Sequence, residues 1–400
     1  MLFWLRRIER GFPAPETFKM QAGRSVRTAI LLSGALLCGC SGGGAGASTP
    51  VAPVTPTAAA PAIATSTGSG AQNGATIVSL ASTTAGAAIY YTLDGSTPTT
   101  SSQQYQAPIL VASDLTVKAI ATAAGDTASS VASRTFTPAI ASGTLVWSEE
   151  FSNSTVTNAQ PNPALWTYDI GTNCCGNNEL ETYCAWASSA GPCNLASPNA
   201  YIGSDGYLHI VAQQPTAGVA VYTSARLKTQ GLFSFQYGRI EAKMMLPEFQ
   251  GMWPAFWLLG NNIATVNWPA CGELDVMEHI DGGNPPIDGI GPGYDWVQSS
   301  IHGANLNGGT PYTVSGFSAA AWHTYGMIWT KGQIQFYVDD PGKVYESFTP
   351  STQTGTWPFD TGPEFVILNL AVGGDWPGAP NSTTVFPSQM LVDYVRIYAN

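Results

Sequence analysis

The sequence predicts an all-β protein, and two observations support that prediction. Short runs that are apolar, or that alternate apolar with polar residues, are separated along the chain by Gly, Pro, Asn and Asp. No stretch keeps a helical period, so helices should be few and short. Only 10% of the 400 residues are charged, which suits an extracellular β protein. The length allows two or three domains, and the largest should form two packed antiparallel sheets of roughly six strands or more, one of them curved into a groove.

Residues 1–40 have the features of a targeting segment. Arg24 and Arg27 precede a short apolar run at 29–37, which is too short to cross a bilayer. Met20 is a plausible start. The run ends in LCGC, which resembles a lipoprotein processing box and implies cleavage before Cys40 and its lipidation. An ordinary secretory signal is the alternative. The lipoprotein signal predicts an exported protein that is lipid-anchored in the cell envelope of a bacterium. The ordinary signal predicts a secreted one.

A linker and a small β module follow. Residues 41–60 contain only Ser, Gly, Ala, Val, Thr and Pro, a composition typical of linkers. Between 61 and 140, strand-like runs such as AAIYYTLDG and LTVKAIAT alternate with turn signals. This stretch resembles the chitobiase C-terminal type of module, which implies an immunoglobulin-like β-sandwich. Tyr90, Tyr91 and Tyr105 could bind glycan there, but core and spacer roles are favoured because no dense set of Trp accompanies them.

The cysteines predict disulfides. Four of them cluster in one loop-rich stretch, at Cys174, Cys175, Cys184 and Cys193. In an oxidising compartment the cluster predicts two bonds. The adjacent pair is not expected to bond to itself, which leaves two connectivities, each joining that pair to Cys184 and Cys193. A zinc site is the competing interpretation, weakened by the lack of a C-x-x-C pair and of a nearby His. Cys271 should pack as a small buried residue.

Three carboxylates lie within six residues in WPACGELDVMEHI. In a strand, Glu273 and Asp275 share a face, whereas Glu278 would point the other way. A β-bulge near Val276 and Met277 would return Glu278 to the face of the other two. Paired carboxylates are what glycoside hydrolysis needs, and a third acid between them raises their pKa. The alternative is an edge strand whose acids face solvent.

A preceding strand supplies aromatic residues. In GMWPAFWLLG, Trp253, Ala255 and Trp257 fall on one strand face. Two indole rings beside three carboxylates would make a stacking floor for sugar rings. The alternative is that both are core residues, as large aromatic residues often are.

These two motifs, with FSFQYGRIEAKMMLP and LNLAVGGDWPG, resemble the bacterial laminarinases, which are endo-β-1,3-glucanases of glycoside hydrolase family 16. The resemblance covers roughly residues 144–400. It implies a retaining β-jelly-roll enzyme in which Glu273 is the nucleophile, Glu278 is the general acid/base, and Asp275 orients and tunes them. The spacing E-x-D-x-x-E is similar to the laminarinase branch of the family.

The resemblance also implies further substrate-binding residues. Asn178, in NNEL, would lie at the glycone end of the cleft, where a Cys-rich insertion interrupts the usual pattern. His302, in IHG, would adjoin the acids. Arg226 would either donate to sugar hydroxyls or form a structural ion pair. The loop DGGNPPIDGIGPGYDW is expected to border the cleft because it is rich in Gly and Pro.

A structural Ca²⁺ is implied on the face away from the cleft, bound by Glu150, the backbone oxygen of Gly206, and Asp393. Oxygen ligands suit this ion, and plain hydrogen bonding without metal is the alternative. No cofactor is expected for catalysis.

The sequence therefore predicts a lipid-anchored, monomeric enzyme that cleaves β-1,3-glucan internally with retention. The alternatives are a mixed-linkage β-1,3-1,4-glucanase, a β-glucan transglycosylase and a non-catalytic glucan-binding surface lipoprotein. A net charge of −11 argues against nucleic acid as a partner.

Overall fold

Strands account for nearly all of the regular structure, as the sequence predicts. The structure, a computed structural model, describes residues 55–152, 156–172, 175–281, 293 and 295–400. Within these ranges the one helix is α1 (Ile263–Val266), and no helix there is long and apolar enough to cross a membrane. The predicted signal peptide with Cys40, most of the linker and most of the Gly- and Pro-rich loop after β19 lie outside the described residues.

The N-terminal module is a small β-sandwich. Its strands are β1 (Ala62–Ser66), β2 (Thr76–Ala81), β3 (Ala88–Thr92), β4 (Gln103–Gln104), β5 (Ile109–Val111), β6 (Leu115–Thr122) and β7 (Ala132–Phe136). Strands β4-β3-β6-β7 form one sheet, and β1-β2-β5 belong to another. Tyr91 is 3% exposed in the core between them, with Tyr105 packed edge-on against it. Two of the three module tyrosines therefore serve packing.

The large domain follows from β8 onward. Its strands are β8 (Leu145–Glu149), β9 (Thr167–Asp169), β10 (Gly171–Thr172), β11 (Glu181–Tyr183), β12 (Ala200–Ile202), β13 (Leu208–Ala212), β14 (Tyr222–Ser224), β15 (Arg226–Lys228), β16 (Ser234–Phe235), β17 (Gly238–Met245), β18 (Met252–Gly260), β19 (Glu273–Glu278), β20 (Val297–Gly303), β21 (Leu306–Tyr312), β22 (His323–Thr330), β23 (Gln333–Val338), β24 (Glu346–Phe348), β25 (Glu364–Val372) and β26 (Ser388–Tyr398).

Two large sheets form the predicted jelly-roll sandwich. The front sheet runs β16-β25-β18-β19-β20-β21, with β15 on β25 and β9 on β15. The rear sheet runs β12-β13-β26-β17-β22-β23-β24, with β8 on β26. A further small sheet, β10-β11-β14, lies outside the two-sheet prediction.

Strand β25 lies near the middle of the front sheet. All nine of its residues are buried, as its apolar run EFVILNLAV predicts for a strand covered on both faces. Its neighbour β18 alternates, and Phe256 and Leu258 on one face are 0% exposed in the core shared with the rear sheet. Each such side chain contributes about 1.5–3 kcal/mol on burial. The other face of β18 carries Trp253, Ala255 and Trp257. This is the face that the sequence assigns to the groove, and we call it the groove face.

The module and the large domain share a sheet and a core. Strand β5 pairs in parallel with β16, with Leu110 opposite Phe235, so the front sheet continues into β5-β2-β1 of the module. Leu110 and Ile77 belong to the same hydrophobic core as Trp147 and Phe235. Residues 54–400 accordingly form one compact unit.

The disulfide prediction is wrong in its pairing. Cys184 bonds to Cys193, with Cα atoms 5.7 Å apart, which excludes both predicted connectivities. Turns at 186–187 and 191–192 bring these two residues together across nine positions. Cys175 lies equally near Cys184 in the sequence, so spacing alone could not choose between the pairings. Cys175 is also disulfide-bonded, and Cys174 lies outside the described residues. Cys271 is free and buried, as predicted.

The shared core predicts one cooperative unfolding transition for residues 55–400. Leu110→Ala should destabilise the whole unit by about 2–4 kcal/mol because it leaves a cavity in the shared core. Differential scanning calorimetry should show a single transition that moves to lower temperature. Val131→Ala, at an exposed module position, is the control and should leave Tm unchanged. Two transitions, of which the later one ignores Leu110→Ala, would contradict the shared core.

Candidate active site

The predicted bulge is confirmed in β19. Alternate residues of β18 share one face, and they pair with the three acids: Leu259 with Glu273, Trp257 with Asp275, and Ala255 with Glu278. Two residues, Val276 and Met277, separate the second and third acids, so β19 holds one residue more than β18 at this point. The same irregularity appears against β20. All three carboxylates therefore lie on the groove face.

Ser299 supports the bulge from the next strand. Its hydroxyl is buried and donates to the carbonyl of Val276 at 2.7 Å. A bulge takes backbone groups out of the ladder, and a buried carbonyl without a partner is costly. The same hydroxyl lies 2.5 Å from the phenol oxygen of Tyr345, which fixes its direction. Nothing in the sequence motif pointed to Ser299.

Burial is the main cause of the acids' raised pKa values. It raises the pKa of Glu273 to about 8, with Asp275 as the next cause. It raises the pKa of Glu278 to about 8 in the same way, again with Asp275 next. Burial also raises the pKa of Asp275 well above its ordinary value. The like-charge effect predicted from the sequence is present, but it is the smaller contribution.

Three side chains oppose that effect: two indole N–H groups donate to the carboxylates, and His302 acts through its charge on Glu273 and Glu278. Trp253 Nε1 donates to Glu278 Oε1 at 3.0 Å, and Trp268 Nε1 donates to Glu273 Oε2 at 2.9 Å. His302 Nε2 lies 3.1 Å from Asp275 Oδ2 and 3.8 Å from Glu273 Oε1. The structure thus places His302 beside the acids, where the family motif suggested it.

Trp253 and Trp257, the two residues predicted to stack against sugar rings, also make aromatic, hydrogen-bond and cation–π contacts within the protein. Trp253 packs edge-on against Trp376, with ring centroids 5.3 Å apart. Trp257 donates through Nε1 to Asn369 Oδ1 at 2.7 Å. The guanidinium of Arg226 lies 4.5 Å from the ring centroid of Trp257 and covers one of its faces.

Arg226 also makes the ion pair that was the alternative interpretation of this residue. Its Nε lies 3.0 Å from Asp169 Oδ2, and its side chain is 11% exposed. In the sheet it stands between Asp169 and Asn369. Arg226 is therefore held rigidly at the groove wall beside Trp257.

Asn178 is placed at the same end of the groove as Trp253. Its Nδ2 lies 3.0 Å from both carboxylate oxygens of Asp375. Close packing at Gly374 makes this possible, because a Cβ there would lie 2.9 Å from the Asn177 carbonyl and 3.6 Å from the Trp253 ring. Asn177 and Asn178 are thereby packed against the residues that directly follow β25.

Sequence analysis missed several groove residues. Trp268 is 58% exposed although its indole bonds to Glu273, and Trp376 extends the aromatic wall past Trp253. Both sit in Trp-Pro pairs close to the motifs, at five residues before Glu273 and directly after GGD, which is a usable signal. Asn369 lies inside an apolar run, where one polar residue on the groove face is also a signal.

The predicted calcium ligands are otherwise engaged. Both carboxylate oxygens of Glu150 accept from Arg396, at 2.9 and 2.7 Å. Asp393 Oδ2 accepts from Lys243 Nζ at 2.8 Å. In this arrangement the carboxylate oxygens that Ca²⁺ would use are paired with cations of the protein. Calcium stays a prediction.

The raised pKa values of the active-site acids predict that the free energy of unfolding falls as the pH rises. The folded state holds the Glu278 proton more tightly than the unfolded chain does, so stability should fall between about pH 4.5 and 8. Glu278→Gln removes the contribution of Glu278 to this dependence and leaves those of Glu273 and Asp275. The variant should match the wild type near pH 4 and exceed it at pH 8 by on the order of 2 kcal/mol, measured by denaturant melts at pH 4, 6 and 8.

Asp114→Asn, at an exposed module position, is the control and should show no such gain. A Glu278→Gln variant that is less stable than the wild type at pH 8 would contradict the burial of an unfavourable charge at this position.

Comparisons with known proteins agree with this geometry. A family model described as "Glycosyl hydrolases family 16" matches residues 193–396, and one described as "Chitobiase/beta-hexosaminidase C-terminal domain" matches residues 67–133. The chain is 36% identical over 270 residues to a beta-glucanase of Rhodothermus marinus, an alignment that covers 64% of this chain and 84% of the relative.

Two further similarities point the same way. The chain is 31% identical over 288 residues to "Glucan endo-1,3-beta-glucosidase A1" of Niallia circulans, covering 65% of this chain and 38% of the relative. The laminarinase catalytic domain from Thermotoga maritima MSB8 superposes with a TM-score of 0.53 at 33% identity, covering 65% of this chain and 99% of that one. With its carboxylates gathered on a bulged strand of a jelly roll, the chain belongs to glycoside hydrolase family 16.

Proposed function

We propose that the protein is an endo-acting β-1,3-glucanase that hydrolyses its substrate with retention of anomeric configuration. The observation that carries the proposal is the placement of Glu273, Asp275 and Glu278 on one groove face by the bulge in β19. Retaining glycosidases need two carboxyl groups about 5–5.5 Å apart, one to attack and one to protonate.

Glu273 is the proposed nucleophile. An indole N–H of Trp268 and the ring of His302 face its carboxylate, and both favour its ionised form. It attacks the anomeric carbon and forms a glycosyl-enzyme ester while the bond to the leaving oxygen breaks. Because the charge on Glu273 also repels charge on its neighbours, its ionisation helps Glu278 to keep a proton.

Glu278 is the proposed general acid and then base. The pKa of Glu278, like that of Glu273, is raised to about 8; when Glu273 is the carboxylate that ionises, Glu278 keeps its proton and gives it to the leaving oxygen. The resulting carboxylate then takes a proton from water, which attacks the ester and releases the sugar. Trp253 holds the carboxyl group through Oε1. Asp275, buried beside both and close to His302, orients and tunes the pair.

The substrate class follows from the groove and from the relatives. Trp253, Trp257, Trp268 and Trp376 provide apolar ring surfaces suited to sugar C–H faces, and Asn178 and Arg226 provide polar groups at the glycone end. The relatives reported above are named as a beta-glucanase, a glucan endo-1,3-beta-glucosidase and a laminarinase. An open groove suits internal attack on long chains. Mixed-linkage β-1,3-1,4-glucan hydrolysis and transglycosylation use the same chemistry and remain the alternatives.

A non-catalytic glucan-binding role is disfavoured by the site itself. Burying three carboxyl groups side by side is unfavourable, and a surface that only binds an uncharged glucan has no use for them. Retaining all three acids in this arrangement is therefore expected only of a catalyst.

The proposal predicts sugar release from laminarin and curdlan, with smaller release from barley mixed-linkage glucan, when products of the purified protein are separated by chromatography.

Glu273→Gln and Glu278→Gln should each lower kcat on laminarin by roughly a thousandfold or more, since each removes a group that acts in the transition state. Both variants should stay folded. Near-normal turnover in either would contradict the assigned roles, and Asp114→Asn serves as the matched control.

We also propose that the protein is exported, monomeric and lipid-anchored at Cys40, on the strength of the LCGC motif. In a bacterial host, Cys40→Ser should abolish incorporation of labelled palmitate and release the protein from the membrane fraction. Labelling that survives the substitution would contradict the anchor.

A further inference from the structure

Four side chains form a hydrogen-bonded chain behind the groove wall. Trp257 Nε1 donates to Asn369 Oδ1 at 2.7 Å, Asn369 Nδ2 donates to the phenol oxygen of Tyr183 at 3.3 Å, and the Tyr183 hydroxyl donates to Glu179 Oε2 at 3.0 Å. Asn369, Tyr183 and Glu179 are 5%, 2% and 7% exposed. This chain, which we name the indole relay, links the Trp257 ring to the buried Glu179.

Every hydrogen bond in the indole relay runs in the same direction, toward Glu179. The Tyr183 hydroxyl donates its single proton to Glu179 Oε2, so the phenol oxygen is left to accept. Asn369 then has to present its NH₂ group to Tyr183 and its carbonyl oxygen to Trp257. An indole N–H can only donate, so this orientation of the amide is the one that satisfies Trp257.

A second buried glutamate lies beside the accepting end of the relay. Glu181, two residues away, is 1% exposed and accepts the backbone N–H of Val372 at 2.7 Å. Burial raises the pKa of Glu181 to about 8, with the charge of Glu179 as the next cause. Near neutral pH Glu181 therefore keeps its proton.

The indole relay ends next to the catalytic acids. Trp257 pairs with Asp275 across β18 and β19, and Asn369 pairs with Ala255, which in turn faces Glu278. Arg226 covers one face of the Trp257 ring. A turn of the indole about its side-chain bonds would move the wall of the groove directly beside the carboxylates.

We propose that Glu179 and Tyr183 are positioning residues that act through Asn369 to fix the indole of Trp257 as a sugar-binding surface beside the acids. This rests on the proposed function, because it assigns a substrate contact to Trp257. Neither residue touches the substrate. They fix which way the side-chain amide of Asn369 points. Its carbonyl oxygen then faces Trp257 Nε1 and holds the ring in its binding orientation.

A purely structural role for the same residues has to be separated from this one. Their segment is also docked on β25, where Leu180 N–H donates to the Val372 carbonyl at 2.8 Å. Loss of that docking would lower stability and kcat together. Loss of ring orientation should instead raise KM for long glucan chains and leave kcat nearly unchanged, because it removes binding shared by ground and transition states.

The test is a double-mutant cycle on the full chain with Tyr183→Phe and Trp257→Phe, using laminarin kinetics. Tyr183→Phe alone should raise KM roughly three- to tenfold, the usual effect of one lost hydrogen bond. In the Trp257→Phe background it should add less than about twofold, since the N–H that the relay orients is already gone. Equal factors in both backgrounds, or an unchanged KM, would overturn the proposal.

A second readout does not depend on activity. With ¹⁵N-labelled Trp, the indole N–H signal that disappears in Trp257→Phe should shift and exchange faster in Tyr183→Phe. If Tyr183→Phe does not fold, Glu179→Gln takes its place. The new amide can donate and so reverse the relay, and it should perturb the same signal. Tyr201→Phe, in β12 of the rear sheet, is the matched control and should change neither readout. An unperturbed Trp257 signal in these variants overturns the relay, whereas a wild type inactive on β-1,3-glucan overturns the proposed function instead.

Discussion

The active site depends on one extra residue in one strand. Without the bulge between Asp275 and Glu278, regular alternation would turn Glu278 toward the core that holds Leu274 and Met277, both 0% exposed. An unpaired carboxylate there would cost several kcal/mol. The bulge returns it to the groove, and the hydroxyl of Ser299 satisfies the carbonyl that the bulge removes from the ladder. The function therefore rests on a local backbone irregularity and on the neighbouring strand that stabilises it.

Around the bulge, the protein trades stability for reactivity. Burial raises the pKa of Glu273 and of Glu278 to about 8, which is useful for proton transfer near neutral pH and unfavourable for folding. The opposing contacts come from groove residues rather than from lysine or arginine: two indole N–H groups and one imidazole. A full cation beside the acids would have lowered their pKa values and removed the proton that the first step requires.

Much of this could be predicted from the sequence, because it follows from local rules. Alternation along strands placed Trp253, Trp257, Glu273 and Asp275 on one face, and the odd spacing to Glu278 demanded a bulge. What could not be predicted depends on contacts distant in sequence. The bond between Cys184 and Cys193 is an exception, because it is local; Cys175 lies equally near Cys184 in the sequence, so spacing could not choose the pairing. Arg226 serves both an ion pair and the Trp257 ring, and the junction of β5 with β16 joins segments more than a hundred residues apart.

The stereochemistry of hydrolysis tests the account most directly, because it reports how close the two glutamates are. If the bulge brings Glu278 near enough to Glu273 for direct attack, the first product seen by ¹H NMR during rapid cleavage of a β-1,3-glucan oligosaccharide must be the β-anomer, with the α-anomer appearing later by mutarotation. A first product in the α configuration would mean that a water molecule fits between sugar and carboxylate, and it would contradict the nucleophilic role of Glu273.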